Sequence, residues 1–197
     1  MTTQQEVQTQ GLDLALFTST EWKLDPVHST LQFSVRHLIG KVTGTFKDAT
    51  GVLHQGAADL TGSTLNISID AATVNTNNAD RDKHLLTTDF FDVATYPRID
   101  FVGSEFIRTG EDTFDVKGKL TLHGVTKEIV LNATDSGRGK DPWGGMRAGF
   151  QATTTLNRMD FGLKYNSVLD SGHMMLGEKV ALTLDTEFVW QGVGTGN

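Results

Sequence analysis

Apolar and polar residues alternate along most of this chain, and that two-residue period constrains its fold more than any other feature. Leu31, Phe33 and Val35 alternate with polar residues, and the pattern returns in about eight segments separated by turns rich in Gly, Asn and Asp. The two longest segments cover residues 146–156 and 180–190. Because successive side chains of a strand point to opposite faces, the pattern predicts antiparallel strands with one buried and one exposed face.

The predicted strands favour a closed barrel over a sandwich. The longest would have about 11 residues and extend roughly 36 Å. The sequence contains no cysteine, so it lacks the Cys, Trp and Cys spacing of immunoglobulin sandwiches. We therefore expect an all-β domain over residues 22–190, folded as an elongated, eight-stranded antiparallel barrel, with flexible tails at 1–21 and 191–197.

Two segments break the alternation, and we expect both near a barrel mouth. Residues 78–86 have helix-compatible spacing, with a suitable N-cap at Asn78 or Asp80. Residues 157–177 form a second irregular stretch that contains several large apolar side chains. The sequence therefore predicts one or two short helices that cover the mouth.

Charge and composition exclude several classes of partner. The formal net charge is −7 and no run of consecutive Lys or Arg occurs, which argues against nucleic acid as a partner. The same charge predicts at most transient contact with an anionic membrane. Residues 1–21 contain no Lys or Arg and no continuous apolar stretch, so no signal peptide is visible and a cytoplasmic location is expected.

Catalytic and metal-binding motifs are absent from the sequence. None of the six histidines forms a pair at i, i+2 or i, i+4, and no Gly-x-Ser-x-Gly motif occurs. The neighbouring carboxylates Asp80, Asp82, Asp89 and Asp92 lie close to Arg81, Lys83 and Arg98, so ion pairing and helix capping explain them. We predict no metal, no cofactor and no catalytic residue.

The aromatic residues are mostly those without a polar group. Eleven Phe accompany two Tyr and three Trp, and many Phe fall on the inward phase of the strands. In a small barrel this phase either fills the interior or lines a cavity for one ligand. The pattern leaves both outcomes open.

A set of short motifs, in a fixed order over residues 22–189, resembles the YceI-like proteins, lipocalin-like barrels described as binding polyisoprenoids and related amphiphiles. The motif residues are Trp22, Asp25, His28 and Ser29; Phe33, Val35 and His37; Val42, Gly44 and Phe46; Arg81, Asp82, His84 and Leu85; Asp89, Phe90, Phe91 and Asp92; Tyr96, Pro97 and Phe101; Gly118, Leu120, Thr121, His123, Gly124, Val125, Thr126 and Lys127; and Arg158, Asp160, Phe161 and Gly162.

The resemblance implies an apolar channel that holds a long isoprenoid tail, such as that of a polyprenyl phosphate or a quinone, and no established catalytic residues. Combined with the strand phase, it gives a predicted channel lining of Phe33, Val35, Phe46, Leu65, Ile67, Phe101, Phe114, Leu120, Ile129, Phe150, Leu156, Leu182 and Leu184.

The polar head of such a ligand needs a partner, and the candidates among the motif residues are His28, His37, Arg81, Asp82 and His84. Arg81 could contact a phosphate, and His84 shares its helical face. The competing interpretation of Arg81 and Asp82 is an ion pair and cap that fix the helix over the mouth. Two other functions stay open: an enzyme that uses His28, His37 or His84 as a base, and a filled barrel that acts as an interaction module. An elongated barrel could also form a homodimer through its side.

Overall fold

The computed structural model describes residues 20–57, 59–170, 172 and 174–193. Strands make up most of this part of the chain, with one α-helix and two 3₁₀ turns. The strands are β1 (Thr20–Leu24), β2 (Thr30–His37), β3 (Gly40–Phe46), β4 (Ala49–Gln55), β5 (Thr64–Asp70), β6 (Val74–Asn75), β7 (Arg98–Arg108), β8 (Thr113–Leu122), β9 (Val125–Lys140), β10 (Met146–Asn157) and β11 (Leu176–Val193). The helix α1 is Ala79–Leu85, and the 3₁₀ turns are Ala71–Thr73 and Arg158–Phe161.

The strands close into one antiparallel barrel, which confirms the predicted fold. The closed ring runs β1, β4, β5, β7, β8, β9, β10 and β11, and β11 pairs back with β1. The remaining strands lengthen this ring: β2 pairs with β11 beyond β1, β3 with β2, and β6 with β3. The barrel therefore has eight strands, three of which are interrupted. In these three, β1 continues as β2, β3 continues as β4, and β5 continues as β6.

The interruption between β1 and β2 is fixed by one residue of β11. The Asp25 amide donates to the Glu187 carbonyl at 2.8 Å, and the Glu187 amide donates to Ser29 Oγ at 3.0 Å. The chain between Asp25 and Ser29 therefore bulges away while both of its ends stay bonded to β11. This is why β11 pairs with β2 through its first half and with β1 through its second half.

The strand bounds differ from the predicted domain limits at both ends. β1 begins at Thr20, inside the segment expected as the N-terminal tail, and β11 continues to Val193. Register pairs Thr20 with Val193, so the two ends of the barrel domain support each other. The rest of both predicted tails, residues 1–19 and 194–197, lies outside the described residues.

The barrel has two distinct ends. At the lower end, the loops that follow β4, β7 and β9 join neighbouring strands. At the upper end lie the tight turn after β2, the turn after β8, residues 76–97 with α1, and the described residues between β10 and β11, which begin with a 3₁₀ turn. The short helical elements expected near a mouth therefore lie together at the upper end. Within the described part of the chain, no helix is long and apolar enough to cross a membrane.

Candidate ligand cavity

The barrel encloses a cavity of about 330 Å³, within the range of about 300–1,000 Å³ usual for small-molecule sites. The barrel is thus not filled by its own side chains, although the sequence left that outcome open. Every residue predicted to line a channel lies on the cavity wall: Phe33, Val35, Phe46, Leu65, Ile67, Phe101, Phe114, Leu120, Ile129, Phe150, Leu156, Leu182 and Leu184.

The cavity is elongated along the barrel. On β11 alone its wall extends from Leu176 to Phe188, a stretch of roughly 40 Å along the strand. With the usual tilt of barrel strands this corresponds to roughly 30 Å along the axis. Such a cavity matches a long, narrow molecule better than a compact one.

The lower end of the cavity is sealed by packed apolar side chains. Leu53, Leu60, Phe114 and Phe188 line it and are each at most 5% exposed. Phe150 packs edge-on against Phe188, with ring centroids 5.9 Å apart. These contacts exclude water from this end, so a ligand cannot enter here without disrupting the core.

The upper end contains most of the polar groups of the wall. His37, Arg81, His84, Arg158 and Tyr165 line it, and all except Arg158 are partly exposed. Arg81 and Arg158 are cationic, and no carboxylate occurs among the described residues of the wall. The cavity is therefore apolar along its length and carries positive charge at one end.

Arg81 is held by the segment that precedes its own helix. Asn78 caps α1, its side chain accepting from the Arg81 amide at 3.0 Å. The Arg81 guanidinium donates through Nε to Thr76 Oγ1 at 2.7 Å and through Nη2 to the Thr76 carbonyl at 2.8 Å. Nη1 makes no hydrogen bond to the described residues, so the fixed side chain keeps donors for a ligand.

His84 lies one turn further along the same helix, and contacts on several sides fix the orientation of its ring. Its Nε2 lies 2.7 Å from Asp89 Oδ2. Its ring packs edge-on against Phe90 and Tyr165, with centroids 5.1 and 4.9 Å away. Phe91, beside Phe90, packs on Phe46 at 5.7 Å. The segment after α1 therefore supplies an aromatic cover that joins the helix to the barrel wall.

Arg158 is a wall residue that was not among the residues predicted to line the cavity or to bind a head group. It is 4% exposed, and its guanidinium donates to the Leu163 and Gly177 carbonyls. Its Nη2 is buried and has no hydrogen-bond partner among the described residues, and burial lowers the pKa of the guanidinium. The sequence could not show that this cation lacks an ion pair among the described residues, because its carbonyl partners at Leu163 and Gly177 lie 5 and 19 residues away along the chain.

Two head-group candidates lie away from the cavity wall, which corrects their predicted position. Asp82 Oδ1 accepts from the Thr76 amide at 2.8 Å and from Thr76 Oγ1 at 2.6 Å. It therefore fixes the helix, as the competing interpretation expected, although its partner is Thr76 rather than Arg81. His28 lies in the bulge between β1 and β2, half-exposed, with Nδ1 2.9 Å from Asp25 Oδ2.

The cluster around His28 is an ion-pair network outside the cavity. Arg147 pairs with Asp25 at 2.8 Å, with Asp141 at 2.9 Å and also with Glu187. Its hydrogen bond to Asp25 is the main reason why the pKa of that carboxyl falls to about 2. Asp25, His28 and Glu187 are close enough to share an ion. Arg147 already pairs with both carboxylates, so a cation at this cluster would have to compete with its guanidinium.

Comparison with known proteins places this geometry in a family. The family model of the YceI-like domain matches residues 22–188. A UPF0312 protein of Pseudomonas savastanoi pv. phaseolicola is 51% identical over 138 residues, which is 70% of this chain and 72% of that protein. A UPF0312 protein of Pseudomonas putida is 46% identical over 149 residues, 74% of this chain and 78% of that protein.

Solved structures share the same barrel. BcnA of Burkholderia cenocepacia superposes with a TM-score of 0.73 at 20% identity and covers 83% of this chain and 98% of its own. The YCEI protein of Campylobacter jejuni gives 0.66 at 30% identity and covers 78% and 88%. A polyisoprenoid-binding domain of Saccharophagus degradans, implicated in plant cell wall breakdown, gives 0.64 at 19% identity and covers 85% and 97%.

Proposed function

Since the chain belongs to the YceI-like family, we propose that its cavity binds a long-chain isoprenoid or a similar amphiphile, such as a polyprenyl phosphate or an isoprenoid quinone, for storage or transport. The observation that carries this proposal is the shape and polarity of the cavity: elongated, apolar along its walls, and cationic at its upper end. A structural relative whose name describes polyisoprenoid binding supports the same class of ligand.

The apolar tail supplies the affinity in this proposal. Burial of one five-carbon unit contributes roughly 3–4 kcal/mol, before the entropic cost of ordering the chain. The wall requires no specific polar contact along the tail, so a range of apolar chains fits it. Selection by length then depends on the distance between the sealed lower end and the polar upper end.

The polar head lies among Arg81, His84, His37 and Tyr165 in this proposal. Arg81 has unused guanidinium donors, which can bind a phosphate or a carbonyl oxygen. The ring of His84, fixed by Asp89, stands beside it and can interact with either type of head. His28 and Asp82 take no part in binding, because their contacts hold them off the cavity wall.

We propose binding rather than catalysis because the family has a binding-type fold and the described residues of the apolar wall include no pair of acid and base beside the tail. His84 and Asp89 form a histidine–carboxylate pair only at the mouth. A bell-shaped pH dependence of turnover on an isoprenoid substrate would instead favour an enzyme with a histidine base.

Lipid extraction tests the binding proposal. The protein is expressed in bacteria, purified without detergent and extracted with organic solvent, and the extract is identified by mass spectrometry. We expect near-stoichiometric recovery of an isoprenoid lipid or a related amphiphile. Recovery of none, together with no binding of added polyprenols or quinones, would contradict the proposal.

The head-group assignment is tested by Arg81→Gln against Lys83→Gln. Both residues lie on α1, but Arg81 lines the cavity whereas Lys83 is exposed and does not. Loss of a charge-assisted hydrogen bond predicts about tenfold weaker binding of a prenyl phosphate for Arg81→Gln, a much smaller effect for a quinone, and none for Lys83→Gln. Equal losses for both ligands with a lower melting temperature would mean that Arg81 only fixes the helix.

A further inference from the structure

Exposed apolar side chains gather beside the upper end of the cavity. Ile39 is fully exposed and Leu38 is 42% exposed at the turn between β2 and β3. Val168 and Met174, in the segment before β11, are 67% and 52% exposed. We call these four residues the apolar rim. Most large apolar residues of the described chain are at least partly buried, so this grouping is unusual on the molecule.

Hydrogen bonds join the two parts of the rim into one surface. The Leu38 amide donates to the Met175 carbonyl at 2.8 Å. Arg36 links both parts, since Nη1 donates to the Leu38 carbonyl at 3.0 Å and Nη2 to the Met174 carbonyl at 3.2 Å. A β-bridge pairs Val168 with Met174. The rim is therefore held by the fold rather than formed by independent loops.

The rim continues directly into the cavity. His37 and Met175, each next in sequence to a rim residue, belong to the cavity wall. Tyr165 and Leu176, on either side of the second part of the rim, belong to it as well. An apolar molecule that leaves the upper end would thus meet the rim before it meets bulk water.

Positive charge flanks the rim. Arg36 and Lys41 face each other in register across the hairpin that carries Leu38 and Ile39. Both are exposed, and neither forms a salt bridge with the described residues, because the partners of Arg36 are carbonyls. The chain has no acidic residue between Asp25 and Asp48. Lys164 and Lys179 are further exposed cations of the neighbouring segment, and Asp160, Asp170 and Glu178 are its exposed acidic residues.

We propose that the apolar rim docks on the surface of an anionic lipid bilayer, with Ile39 and its neighbours inserted among the lipids and Arg36 and Lys41 at the head groups. Apolar side chains flanked by cations are the combination that binds such interfaces. A second copy of the chain fits less well, because two such hairpins would bring their cations together. The purpose of docking, exchange of ligand with the membrane, rests on the proposed function, but the docking itself does not.

The test is cosedimentation of the lipid-free full chain with two kinds of vesicle, one of phosphatidylcholine and one of equal parts phosphatidylcholine and phosphatidylglycerol. We expect binding to the anionic vesicles, weaker binding at high salt, and little binding to the neutral ones. Ile39→Asp should reduce the bound fraction about tenfold or more. Trp143→Asp is the matched control, since Trp143 is 86% exposed but lies in the turn after β9 at the lower end.

The docking proposal is contradicted if the wild type does not bind anionic vesicles, or if Trp143→Asp loses as much binding as Ile39→Asp. It is also contradicted if the protein forms a dimer in sedimentation velocity that Ile39→Asp converts to a monomer, while neither protein binds vesicles.

Ligand affinity measured in detergent separates this proposal from the carrier function. Ile39→Asp should keep that affinity and lose only transfer from vesicles. If no ligand binds in detergent while vesicle docking persists, the carrier function fails and docking stands.

Discussion

At the scale of single residues, the polar side chains of this barrel form two sets: an ion-pair network on the outside and partly unpaired groups at the mouth of the cavity. Arg147, Asp25, Glu187 and Asp141 pair with one another in a network on the outside. Arg81 at the mouth instead satisfies only part of its donors, with backbone and hydroxyl oxygens. The sequence could not separate these sets, because Arg147, the partner of Asp25, lies 122 residues away from it. By contrast, the lining residues were predictable, since the two-residue period alone decides which face they occupy.

The outer network predicts a specific dependence of stability on pH. Because Arg147 lowers the pKa of Asp25 from 3.8 to about 2, the carboxylate stabilises the fold above pH 3.8, and this contribution is lost as the pH falls through 2. We expect Arg147→Met to lower the free energy of unfolding at pH 7, because the Asp25 carboxylate loses its main partner, although solvent screening limits the size of the loss. In urea titrations the gap to wild type should narrow toward pH 2. The control is Lys117→Met, which breaks a more exposed pair with Glu105. If Lys117→Met lowered the free energy of unfolding as much and with the same pH dependence, the assignment of this dependence to Asp25 and Arg147 would be contradicted.

At the scale of strands and helices, the regularity of the apolar alternation explains which elements were predictable from the sequence. β2, β10 and β11 show clean alternation, and the sequence predicted each of them. β1 and β4 were not, because β1 is short and β4 contains Gly51 and Gln55, which break the apolar pattern. The helix was predictable from its Asn78 cap. Its position over the mouth depends on Thr76, whose contacts to Arg81 and Asp82 no local pattern shows.

The packing of β3 on β2 predicts how the cavity responds to one methyl group. A Cβ added at Gly44 would lie 2.4 Å from Cζ of Phe33 and 2.9 Å from Thr76 Cγ2, so the ring must move. We expect Gly44→Ala to fold but to bind long chains at least about fivefold more weakly. Gly139→Ala, where a Cβ would meet nothing within 4 Å, should bind as wild type in fluorescence titrations. Unchanged affinity in Gly44→Ala would show that the Phe33 ring can move without narrowing the cavity.

The whole molecule combines a sealed lower end, an apolar interior and a polar upper end within one closed sheet. Closure removes the free edges that a long antiparallel sheet would otherwise expose. It also makes the cavity a property of the complete barrel, since wall residues come from every strand except β1 and β6. A sequence pattern shows which side chains point inward but gives no measure of the space left between them. The existence and volume of the cavity could therefore be learned only from the folded chain.

The measurement that tests the central claim most directly is native mass spectrometry of the lipid-free protein with a long-chain isoprenoid, comparing Ala152→Phe with Gln151→Phe. Ala152 lines the cavity, whereas its neighbour Gln151 is exposed on the outer face of β10. Our account predicts a one-to-one complex for wild type and Gln151→Phe, and its loss in Ala152→Phe, because the added ring occupies the channel. An equally abundant complex in Ala152→Phe, with its fold confirmed by circular dichroism, would contradict binding inside the barrel.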